Sequence, residues 1–122
     1  MLRAAVLIVI GLLFVGMGVY ALVAPARLVA PFRLRVATPE SRSEIRAVYG
    51  GFGSAMAVTL WWAATATGGP HTGAVVAVGA ALAGMAVGRV ISRIFDSATP
   101  FYPLSFYLVV ETVGAAALWA VA

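Results

Sequence analysis

The chain contains no cysteine and no lysine, a single histidine and only four acidic residues. Without cysteine there are no disulfides, no thiolate metal ligands and no thiol nucleophile. The lone histidine, His71, cannot by itself build a histidine-rich metal centre or a bis-histidine haem site, so no metal and no cofactor is expected. Charge of either sign is sparse: 10% of residues are charged, where a soluble domain carries about a quarter. A length of 122 residues leaves room for one unit, residues 1–122, and no second domain.

What remains is apolar. Hydrophobic residues make up 63% of the chain, and with so little charge this points to lipid as the solvent. The net charge of +4 comes from eight arginines that sit at the ends of apolar runs. That placement fits a juxtamembrane role. No soluble surface is left to carry nucleic acid, and no such partner is expected.

Four runs predict an all-α, four-helix transmembrane bundle, with helices over about 4–24, 42–67, 73–95 and 104–121. Ala4–Ala24 is uncharged and long enough for a hydrocarbon core of about 30 Å. A signal peptide competes for this segment, since Arg3 precedes it and Ala24-Pro25-Ala26 ends it. Signal cores are about 7–15 residues, so a helix is favoured. Pro25 and Pro31 end it, and Arg27–Val36 alternates apolar and basic residues as a stretch along the headgroups would. Ser41-Arg42-Ser43-Glu44 has the spacing of a capping box, which starts the second helix, and Gly68-Gly69-Pro70 stops it. The third helix carries a small-residue stripe, Ala80, Gly84 and Gly88, continued by Ser92. In lipid that spacing lets helix backbones approach closely, so the stripe is a helix-packing candidate. Trp61, Trp62 and Trp119 read as aromatic anchors at the outer interface, and His71 as solvated. No internal repeat is evident.

The arginines also orient the chain. Arg27, Arg33, Arg35, Arg42, Arg46, Arg89 and Arg93 fall on the side of the first and third loops, leaving only Arg3 opposite. The positive-inside rule then expects those loops in the cytoplasm and both termini outside.

Six ionisable residues fall at or within the predicted spans: Glu44, Arg46, Arg89, Arg93, Asp96 and Glu111. Their charges cancel. A charge at mid-helix costs about 2.5–3.5 kcal/mol on insertion scales, so internal pairing is expected. Arg89 and Glu111 each lie about 10 Å from the same membrane face, which predicts an Arg89–Glu111 pair. Arg46 and Tyr49 enter at the same end, and Tyr107 sits one turn before Glu111. Glu44, Arg46, Tyr49, Arg89, Arg93, Asp96 and Glu111 therefore form a candidate ligand-binding cluster. Plainer readings stand beside it: Glu44 as a helix cap, Arg93 and Asp96 as interfacial and loop residues, and Arg89–Glu111 as structural glue. No catalytic residues are assigned, because no nucleophile, base and orienting group fall together, and the reading leans away from an enzyme.

The block Glu44-Ile45-Arg46-Ala47-Val48-Tyr49-Gly50-Gly51, followed by Gly88-Arg89 and Asp96, resembles the signature of an uncharacterised domain-of-unknown-function family. That family comprises small bacterial four-helix membrane proteins, distantly similar to the DoxX group. The likeness covers nearly the whole chain, but Ser97 stands where the pattern has glycine. It implies a multi-pass protein of the bacterial plasma (inner) membrane and no particular activity.

Three functions are expected, in order. The first is an accessory or scaffold subunit that packs in the bilayer against another membrane protein or a second copy of itself. The second is a binder or carrier of a lipid-soluble molecule, such as a lipid or quinone, at the Arg/Glu/Tyr cluster near the cytoplasmic face. The third is a small proton-coupled exporter. Exporters of that size use a glutamate in the first helix, and this first helix has no acid.

Overall fold

A computed structural model describes all of residues 1–122. The chain is all-helical. Helix α1 spans Leu2–Val23 and is followed by a short α2, Pro25–Val29, and a 3-10 turn at Ala30–Phe32. Helix α3, Pro39–Ile45, leads through a π turn, Arg46–Gly51, into α4, Phe52–Ala63. Helix α5 spans Gly69–Phe95, and a kinked π turn at Phe101–Ser105 opens α6, Phe106–Val121. Three stretches are long and apolar enough to cross a membrane: Leu2–Val23, Gly69–Phe95 and Phe101–Val121. Only 22 of 122 residues are buried, and large apolar side chains such as Leu13, Val58, Val87 and Val113 face outward. Such a surface suits lipid and would be a liability in water.

The expected count of four helices is not matched, because the second expected helix is divided. Its backbone stays helical from Pro39 to Ala63, but the π turn inserts a wider loop at Arg46–Gly51. The turn sets Gly50 against Leu22 of α1, where a Cβ would fall 2.7 Å from that side chain. The start also differs from the expectation. Thr38 is the N-cap, its hydroxyl accepting from the Ser41 amide, while the Ser41 hydroxyl accepts from the Thr38 amide. Pro39 then occupies the first turn, where a missing N–H costs nothing. Ser41 and Glu44 are not the capping pair. The segment after α1 is largely turned into α2 and the 3-10 turn, with Arg33 in the left-handed region at φ 58°.

Helix α1 packs antiparallel on α4, and α5 on α6, around a core of Leu7, Ile10, Phe14, Leu60, Val75, Leu82 and Leu118. The two hairpins repeat one another, contrary to the sequence reading. Trp61 of α4 lies on Gly11 of α1 and donates its indole N–H to the Ile8 carbonyl at 3.3 Å. Trp119 of α6 lies on Gly79 of α5 and donates to the Val76 carbonyl at 3.2 Å. The buried positions follow in the same register. Leu7, Ile10, Gly11, Phe14 and Gly18 of α1 correspond to Val75, Val78, Gly79, Leu82 and Ala86 of α5. Ala57 and Leu60 of α4 correspond to Ala115 and Leu118 of α6. A methyl at either glycine would overlap its indole. Gly11→Ala and Gly79→Ala should therefore each cost about 1–3 kcal/mol. Gly84→Ala, with nothing within 4 Å of its added methyl, should leave the melting temperature in mild detergent unchanged.

The ends are tied by arginine. Arg3 donates from Nη1 to the carbonyls of Ala63 and Ala66 at 2.9 and 2.8 Å, capping α4. Arg46 donates from Nε to the Leu22 carbonyl at 3.0 Å, capping α1. Each satisfies carbonyls that a helix end leaves free, and places a cation at the negative end of its dipole.

Candidate functional site

Helices α5 and α6 run antiparallel, so residues near the end of one lie level with residues near the start of the other. At that level Arg89 of α5 meets Glu111 of α6 in a two-pronged ion pair. Nε donates to Oε2 and Nη2 to Oε1, both at 2.7 Å. Paired forks of this kind are the strong form of the interaction. The depth estimate made from the sequence therefore located a real pair. Glu111 is 4% exposed and Arg89 is 22% exposed, so the carboxylate is enclosed while the guanidinium keeps one open edge. No protein acceptor meets the third nitrogen, Nη1.

Two aromatic rings hold the guanidinium in place. Its carbon lies 5.6 Å from the Tyr107 ring centre and 5.7 Å from that of Phe32, within range of cation–π attraction. Tyr107 and Phe32 touch at 5.4 Å between centres, and Tyr102 and Phe106 pack around Tyr107. Phe32 comes from the 3-10 turn after α2, so the first connection reaches across the bundle to the second hairpin.

Beside the pair opens a cavity of about 640 Å³. Its walls are Met85, Gly88, Arg89, Ser92, Arg93 and Asp96 of α5, with Ser97, Ala98, Thr99 and Leu104 of the following connection. Arg93 and Asp96 are exposed and line this space without a side-chain partner. Two cations, one carboxylate and the hydroxyls of Ser92, Ser97 and Thr99 thus border one opening, next to apolar Met85 and Leu104. A second groove of about 490 Å³ runs between α1 and α6 and holds only apolar side chains and Gly114.

The remaining candidates lie elsewhere. Arg46 is committed to the Leu22 carbonyl. Glu44 is exposed on α3, and Tyr49 is half-buried in the π turn. None of the three lines the Arg89 cavity. The structure therefore gathers Arg89, Arg93, Asp96 and Glu111, and leaves out Glu44, Arg46 and Tyr49. The stripe Ala80, Gly84 and Gly88 faces outward, and no helix of this chain packs on it. His71 is not simply solvated: its ring stacks on Trp62, 4.2 Å between centres. Phe32 and Tyr102 had no signal in the sequence, since nothing local to either marks contact with a helix far along the chain.

The family described as a domain of unknown function, DUF4345, matches residues 2–122, and the chain belongs to that family. No curated protein and no solved structure matches it.

Proposed function

We propose that this chain is a four-span protein of the bacterial plasma membrane that binds an amphiphile through its polar head at the Arg89 cavity. The head would be anionic or carbonyl-bearing, as in a lipid or a quinone. The observation that carries this is the state of Arg89. One edge of its guanidinium is fixed by Glu111, and Phe32 and Tyr107 pack together on one side of it, yet Nη1 has no protein acceptor and Arg89 lines a 640 Å³ space. An arginine so oriented offers a prepared fork to a carboxylate, phosphate or carbonyl pair. Arg93 adds a second cation beside it.

The fourth span would be the continuous helical path through α3, the π turn and α4. From Ile45 to Ala63 it covers about 28 Å at the usual rise, close to a hydrocarbon core. Contact between Phe32 and Tyr107 brings the first and third connections to one end. Seven of the eight arginines belong to that end, which supports a cytoplasmic assignment for those connections, with both termini outside. The eighth, Arg3, has a local task in capping α4 and so weighs little against it.

An accessory-subunit role is the second reading. It is favoured by the outward stripe of Ala80, Gly84 and Gly88, which leaves a close-approach surface unused within this chain. Native mass spectrometry in mild detergent separates the two. Dodecanoate or a short-chain quinone should add to the parent at one equivalent and be lost from Arg89→Gln. A parent that takes up neither probe overturns the binding reading, and a stoichiometric protein partner in the same preparation favours the second.

A further inference from the structure

We infer that the Arg89–Glu111 pair is a working addition to a duplicated hairpin, and that the second hairpin needs neither charge in order to fold. The inference about folding is independent of the proposed ligand. The assignment of the pair to binding rests on it.

The two hairpins share one plan in their outer halves, each with a tryptophan laid on a glycine and bonded to the carbonyl three residues earlier. Carried inward in the same register, Arg89 of α5 corresponds to Ala21 of α1, and Glu111 of α6 to Gly53 of α4. Ala21 and Gly53 are both buried, as Glu111 is. The first hairpin is closed at this level by backbone contact. A Cβ at Gly18 would lie 2.9 Å from the Gly50 carbonyl oxygen, and one at Gly53 would lie 3.3 Å from that of Phe14. In the second hairpin the corresponding residues are Ala86, Leu108 and Glu111, so side chains stand where the first hairpin has glycines, and the ion pair lies at this level.

One plan is thus completed in two ways, once with no buried ion pair between the helices. A buried ion pair exchanged for apolar residues of similar volume is often neutral to stability, whereas loss of one partner is not. The register of α5 on α6 is also set without the pair, by Trp119 on Gly79 and by Leu82 against Gly114. What the pair supplies, and the closed hairpin lacks, is an arginine with a free edge on a cavity.

The test compares the double variant Arg89→Met/Glu111→Leu with Glu111→Gln and Arg89→Gln, each as the full chain in mild detergent. Melting is followed by tryptophan fluorescence, dispersity by size exclusion, and dodecanoate uptake by native mass spectrometry. The double variant should be monodisperse and melt within about 3 °C of the parent, while both single variants melt lower. Its dodecanoate uptake should fall about tenfold or more, equivalent to about 1.4 kcal/mol. A double variant that fails to fold, or melts as low as the singles, overturns the folding claim and makes the pair structural. Unchanged uptake in a folded double variant overturns its assignment to binding. Absence of uptake by the parent removes the ligand reading alone, because the melting comparison still decides the folding claim.

Discussion

Replacing Glu111 by glutamine should lower the melting temperature in mild detergent by about 10 °C. Both carboxylate oxygens of Glu111 accept from Arg89 at 2.7 Å, and the acid is 4% exposed. Glutamine keeps the shape and one acceptor oxygen but turns an N–H group towards the guanidinium and removes the counter-charge. Breaking one side of a buried pair costs about 3–5 kcal/mol. Arg89 retains 22% exposure, so solvent relieves part of this and a loss of about 3 kcal/mol is expected. At about 3–4 °C per kcal/mol for a chain of this size, that is roughly 10 °C. Arg89→Gln should lose a similar amount, because the stranded carboxylate is the more enclosed partner. If both single variants melt with the parent, the pair contributes nothing to the fold.

The pair was legible in the sequence because its two determinants are local. A helix rises by a constant amount per residue, and two opposite charges at equal depth in lipid have few other partners. The apolar spans were legible for a similar reason, since α1, α5 and α6 each carry their own length and composition. The start of the second helix was misplaced in the sequence, because Ser41–Glu44 has the usual capping-box residues, whereas the reciprocal cap joins Thr38 and Ser41, with Pro39 at the first helical position. The π turn had no pattern of its own; Gly50 and Gly51 permit it, and contact with Leu22 gives it a purpose.

The repeat was hidden by chemistry rather than by geometry. Gly18 stands against Ala86, Ala21 against Arg89 and Gly53 against Glu111, so the residue types differ most at the inner ends of the two hairpins. Connections of unequal length also shift the spacing between paired helices. Only burial and the two tryptophan–glycine contacts reveal the common plan. Arg3 likewise looks, in sequence, like a cation on the wrong side. Its bonds to Ala63 and Ala66 give it a structural reason to be there.

Gly18→Leu should abolish the folded, monodisperse protein, whereas Gly16→Leu on the same helix should leave it folded with a melting temperature no lower than the parent's. Both residues lie in α1, so helix propensity favours leucine equally at each. They differ in what they face. A Cβ at Gly16 meets nothing within 4 Å. At Gly18 it would lie 2.6 Å from the Ser54 hydroxyl, 2.9 Å from the Gly50 carbonyl oxygen and 3.0 Å from the Ser54 backbone nitrogen. Two of those three atoms are backbone, so no rotamer change can relieve the overlap, and α1 must part from α4. Overpacking of a close-packed site costs about 1–3 kcal/mol and more where the backbone has to move. In lipid no hydrophobic drive returns the helices to contact once direct packing is lost. Parting them would also draw Leu22 off Gly50 and the Leu22 carbonyl away from Arg46. Size-exclusion profiles and melting curves of the two variants measure this directly. Equal behaviour of Gly18→Leu and Gly16→Leu would mean that the glycine crossing does not close the first hairpin, and would remove the contrast on which the role of Arg89 and Glu111 rests.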